Sequence, residues 1–364
     1  MSASGRGGPE ARSLNRPDPD DAGSEYAEAD FLLAARGHTQ DLGAWVIGLA
    51  FDKSGACGFG LGDGTLRLLA PGGTDWAAAT AHDGAVLSLA PDAKDGFLTG
   101  GDDGRLVRTA ADGTVTELAS FGAMKWVEHV AAHDSGLRAA SVGKLLHVFD
   151  AKGAPLKTLT HPSSVGGIAF DAKGKRIAAS HYNGASLWFV GAKEDKARLL
   201  EWKGSHAGIA ISPDGTHVVT AMQENALHGW RLSDSQHMRM SGYPSKTRSM
   251  GFTARGRWLA TSGADSVVIW PFFGGGPMGK APTELAGGDG VICTAVACHP
   301  QHEIVAAGFA DGLVLLAEIG SGKIVPVAPP GRGGVSALGW NAGGSHLAFG
   351  TETGFAGMVD LTRR

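Results

Sequence analysis

The chain has little of what usually declares a function. Charged residues make up only 19% of its 364 residues and the formal net charge is −4, which leaves no basic footprint for nucleic acid. There is no acidic tail either. Its three cysteines, Cys57, Cys293 and Cys298, are an odd number at no framework spacing, which points away from a disulfide scaffold and toward a reducing compartment. No run approaches the roughly eighteen uninterrupted apolar residues of a membrane span. The N-terminus, rich in Gly, Pro, Ser, Asp and Glu, lacks the apolar centre of a secretory signal. A cytoplasmic protein without membrane association is expected, with residues 1–29 a disordered leader and 30–364 one domain.

Signatures of catalysis are missing too. No Gly-x-Ser-x-Gly elbow stands between a strand and a helix, and there is no P-loop or dinucleotide fingerprint in a βαβ setting. The run Phe273-Gly-Gly-Gly-Pro277 reads as a loop between strands. The densest group of soft ligands is Cys293, Cys298, His299 and His302. On a strand, Cys293 and Cys298 point to opposite faces and do not converge on one ion, so they read as small core residues. No catalytic residue, cofactor or metal ligand is assigned.

Glycine, by contrast, is abundant, 57 of 364 residues, about twice ordinary usage. It punctuates a pattern that recurs eight times: a short apolar stretch, a turn, a second apolar stretch and an Asp-Gly-like corner. Counted from the first strand, the units begin at Trp45, Ala85, Trp126, Val165, Gly208, Arg248, Ile292 and Val335, with spacings of 40, 41, 39, 43, 40, 44 and 43 residues. Short strands repeating every 40 to 45 residues, roughly, are the mark of a β-propeller, in which each unit buries its apolar face only against its neighbours. The expectation is an all-β, closed propeller of four-stranded antiparallel blades, eight in number with seven as the alternative.

Unit six shows the grammar. Arg248–Phe252 reads as a first strand, Trp258–Ser262 as a second, Gly263-Ala-Asp265 as the corner, Ser266–Trp270 as a third, and a fourth follows near Pro282 to Ala286. The last unit has three strands and then the chain stops. A spare apolar segment, Phe31–Ala35, followed by Gly37-His38, precedes the first unit. Pairing that segment with the final blade closes the ring and removes an exposed sheet edge.

These residues resemble the WD-repeat family from Phe31 to Leu361. The position of its histidine before the first strand is held by His38, His82, His161 and His206. Its corner aspartate position is held by Asp63, Asp103, Asn183, Glu224, Asp265 and Asp311, and the third-strand tryptophan by Trp230 and Trp270, with Phe149 and Phe189 as near equivalents. Unit three has Gly143 and unit eight Thr353 at the corner. The resemblance implies that the histidines are buried struts, with His38–Asp63 and His82–Asp103 the clearest pairs.

It further implies a stand-alone, bacterial-type, non-catalytic scaffold that binds one or more proteins or extended peptides on the face carrying the corner loops. Projected onto this sequence, that face comprises Trp45, Asp102, Lys125, Trp126, His181, Tyr182, Gln223, Tyr243, Lys246, Arg248, Arg332 and Glu352. Aromatic and arginine anchors among polar groups suit a binding surface. The isolated protein is expected to be a monomer. Two other readings remain open: a propeller hydrolase or lactonase with a metal in the central channel, and an accessory factor in zinc handling that uses His181, His299 and His302.

Overall fold

The computed structural model describes residues 31–362, so the expected leader at 1–29 lies outside the described residues. Apart from one helical turn, Leu32–Arg36, the described residues form antiparallel strands joined by tight turns. Composition decides the layers. Second strands such as Cys57–Leu61 and Phe97–Gly101, built of small, branched and aromatic residues, are buried along their whole length between neighbouring units. Fourth strands such as Val115–Ser120 form the outer rim and are largely exposed.

The strands assemble into seven sheets, six of four strands and one of six. The number of separate sheets is therefore seven, the alternative count, and not eight. The difference lies in units four and five, which share one sheet. The extended stretch Arg176–Phe189 pairs with Gly167–Phe170 through its first half and with Arg198–Ile211 through its second. Arg198–Ile211 then pairs with His217–Met222. The Tyr182–Ser205 pair bridges the point at which other units separate.

Ring closure uses an N-terminal strand, but a different segment from the one expected. Gly37–Asp41 pairs with Phe355–Asp360, Gly37 opposite Val359 and Asp41 opposite Phe355. The expected strand Phe31–Ala35 is instead mostly helical turn. Its Leu-Leu-Ala-Ala-Arg composition favours helix, and Leu32 and Leu33 pack on the apolar cluster of the last two units. Phe31 is buried beside Val267, Ile269 and Phe309. At the seam, Leu42 N–H donates to Gly354 O at 2.9 Å and Ser336 Oγ donates to Val46 O at 2.6 Å.

Two devices lock neighbouring units together. A valine opening the first strand of one unit sits where the preceding second strand has glycine. A Cβ on Gly308 would lie 2.4 Å from the Val335 side chain, and one on Gly350 2.4 Å from Val46. On the opposite face, turn residues after the first strands reach the next unit. Asp52 accepts from Gly96 N–H at 2.7 Å, Asp92 takes two 2.8 Å bonds from Arg138, Arg176 donates to Gly215 O at 2.9 Å, and the His299 ring meets Gly344 O at 3.1 Å.

Candidate partner-binding face

The face bearing the corners is built on buried struts. In unit two, His82 joins the first-strand entry to the corner through Asp103 at 3.0 Å and to the second strand through Thr99 at 2.9 Å. In unit five, His206 meets Thr220 Oγ1 at 2.7 Å and Trp202 O at 2.9 Å. In unit four, Trp188 Nε1 donates to His161 Nε2 at 3.1 Å. The buried aromatic there is Trp188, whereas Phe189, the residue expected at that position, is 58% exposed.

Burial lowers the His82 imidazole below its ordinary range even though Asp103 works the other way. It pushes His161 down to about 4, with the Lys144 carbonyl partly opposing. These rings are therefore neutral hydrogen-bonding parts at neutral pH.

The expected His38–Asp63 pair does not form. His38 lies in the closing strand opposite Met358, and Asp63 caps its own turn by accepting from Thr65 N–H at 3.0 Å and Thr65 Oγ1 at 2.7 Å. The register places Leu42, which is buried, four residues before Val46, as His82 is before Val86.

The residues projected onto the binding face divide into two groups. Tyr243 and His181 are buried. Tyr243 is the strut of unit six: its hydroxyl accepts from Trp270 Nε1 at 2.6 Å and meets Thr261 Oγ1 at 2.7 Å. Burial, opposed by these two bonds, raises that phenol to about 12. The His181 ring is held between Tyr182 O and Ser186 Oγ, each at 2.9 Å.

The remainder reach solvent. Trp45, Trp126 and Tyr182 are 48%, 55% and 58% exposed; Lys125, Gln223, Lys246, Arg248, Arg332 and Glu352 are exposed and Asp102 is half-buried. Trp45, Arg248 and Glu352 line one cavity of about 380 Å³ with first-strand residues such as Thr294 and Ser336. Lys246, Arg248 and Glu352 line an adjoining one. Arg248 Nη1 stands 3.8 Å from Glu352 Oε1. Lys125 and Trp126 belong to a separate groove on unit three.

Cys293 and Cys298, expected on opposite faces, instead share one apolar cluster, because a bulge between Cys293 and Ala295 shifts the alternation and sets them opposite Phe309 and Val305. Cys293 is fully buried, and Cys298 Sγ contacts Gly251 O at 3.2 Å. His299 Nδ1 accepts from the amides of Gln301 and His302, each at 3.1 Å. Among the described residues no three His, Cys, Asp or Glu side chains are grouped to hold a metal ion.

A closed ring of antiparallel sheets, stiffened by struts between first-strand entries and corners, defines a β-propeller. No protein-family model matches the chain. It is similar to THO complex subunit 3 of Arabidopsis thaliana, 22% identical over 250 residues that cover 66% of this chain and 78% of that protein. It is also similar to Autophagy-related protein 16 of the same plant, 25% identical over 286 residues, 76% of this chain but only 55% of that protein's length. Among solved structures, the computationally designed Ika8 protein superposes with a TM-score of 0.72 at 19% identity, covering 87% of this chain and 96% of its own, which shows the shared fold.

Proposed function

We propose that the protein is a non-catalytic, cytoplasmic scaffold, monomeric by itself, that holds a partner protein or extended peptide on its corner-loop face. The observation that carries this reading is the gathering of Trp45, Lys246, Arg248 and Glu352 around adjoining cavities on that face. An exposed aromatic beside arginine is the composition of an interface anchor. A ring closed by its own hydrogen bonds has already lost its backbone freedom on folding, so binding orders little more. The similarity to THO complex subunit 3, by its name one part of a larger complex, supports a binding role.

The test is site-specific photo-crosslinking in cells, with the crosslinker at Trp45 and, as control, at exposed Asp112 on the opposite face. Adducts of discrete mass from position 45 that are absent from 112 and lost on Arg248→Glu support the face. Equal labelling from both positions, or none from 45, overturns it.

A further inference from the structure

Unit three departs from its neighbours at its corner, and a groove lies beside that corner. Pairing registers align Val127–Val142 with Val86–Gly101, and Val130–Ala140 with Leu89–Thr99. Ala123 therefore stands where unit two has His82, and Ala140 where it has Thr99. The corner is also shorter. Four residues, Val142–Leu145, separate the Ser141–Leu146 pair, against five, Gly101–Arg105, between Gly100 and Leu106. Gly143-Lys144 replaces the stretch that carries Asp103, so every member of the strut is gone. A cavity of about 530 Å³ occupies this end of the unit, walled by Phe121, Trp126, Val142, Leu145 and His147. The Phe121 and His147 rings, 4.6 Å apart, form one side.

The rim is equally distinctive. Met124 adopts φ +65°, a left-handed conformation that a long side chain rarely takes, and is 88% exposed beside half-exposed Trp126. Lys125 and Lys144, both exposed, flank the opening. The half-buried Glu128 also lines the groove, and burial raises its carboxyl above the ordinary range.

We infer that unit three is a specificity pocket for an extended peptide that inserts one aromatic side chain into the strut-less groove while acidic residues on either side of it meet Lys125 and Lys144. The pocket has room for a full aromatic ring, no element among the described residues covers the exposed apolar rim, and the two lysines select a negatively charged flank over a neutral or basic one. This rests on the reading of the corner-loop face as the binding face and names a subsite and ligand chemistry within it.

The probe is a fluorescein-labelled Glu-Asp-Phe-Asp-Glu peptide, titrated against the full chain by anisotropy at low salt. Saturable binding is expected, weakened about tenfold or more by Phe→Ala in the peptide and by Trp126→Ala in the protein, as loss of a central anchor does. Lys125→Glu with Lys144→Glu weakens it similarly, while Lys94→Glu, at an exposed turn on the opposite face, leaves it unchanged. These substitutions lie at exposed positions, and circular dichroism confirms each fold. Loss with Lys246→Glu but not with the unit-three variants places the peptide at the cavity lined by Lys246 and Arg248, and no saturable binding rejects the acidic-aromatic chemistry; either overturns the inference. Self-association that Trp126→Ala abolishes identifies the occupant as a second copy and also overturns it. The crosslinking result at Trp45 is independent of all these outcomes, so failure of the pocket is distinguishable from failure of the face.

Discussion

At the residue scale, the same structural task is performed by different chemistries. His82, His161, His206 and Tyr243 each tie elements together beneath the corner face, and only the histidines carry the WD-repeat signature. Tyr243 was legible as an aromatic near the first-strand entry of unit six but not as a strut, because nothing local distinguishes a buried hydroxyl from an exposed one. The distinction comes from Thr261 and Trp270, 18 and 27 residues away. Tyr243→Phe removes the acceptor of the buried Trp270 N–H, and an orphaned buried donor costs about 1–3 kcal/mol. Urea unfolding should show a loss of that size, and Trp270→Phe added to Tyr243→Phe should cost less than the sum of the single changes. Strict additivity would mean that the two groups are not coupled.

At the element scale, the strands were readable and their partnerships less so. The period located all eight first strands because small and branched residues recur there whatever the neighbours are. The closing strand was misplaced because Phe31–Ala35 has strand-like hydrophobicity, whereas the residues that pair, Gly37–Asp41, are mainly polar and have a rim strand's exposure. The Gly–Val locks show how neighbours decide such matters. Gly350→Ala places a methyl against Val46, and overpacking of this kind costs about 1–3 kcal/mol. Val46→Ala in the same chain should recover part of that loss even though it destabilises the protein alone. Thermal melts of the two single variants and the double variant measure the coupling; no recovery would place the strain elsewhere.

At the scale of the whole molecule, the ring and its corner face followed from period and order, while the fusion of units four and five and the open groove of unit three depended on contacts between distant residues. The same long-range packing gives the molecule a pH response. Burial is the leading cause that lowers His82, His129, His161, His206, His217, His228 and His299, taking His161 to about 4 and His228 to about 3. In the unfolded chain these rings titrate near pH 6.5, roughly. Between that value and the folded ones, the unfolded state binds more protons, so stability falls as pH falls. Asp92, Asp103 and Asp171, held below the carboxylate range by hydrogen bonds that outweigh burial, add a further loss only below about pH 4. Urea midpoints should therefore decline steadily from about pH 6.5 downward, well before carboxylates titrate. His161→Gln can retain an acceptor for Trp188 without a basic ring, and it should flatten part of that slope. A midpoint constant from pH 7.5 to 5 would show that the rings titrate alike in both states, and the buried struts would then contribute nothing to the molecule's sensitivity to acid.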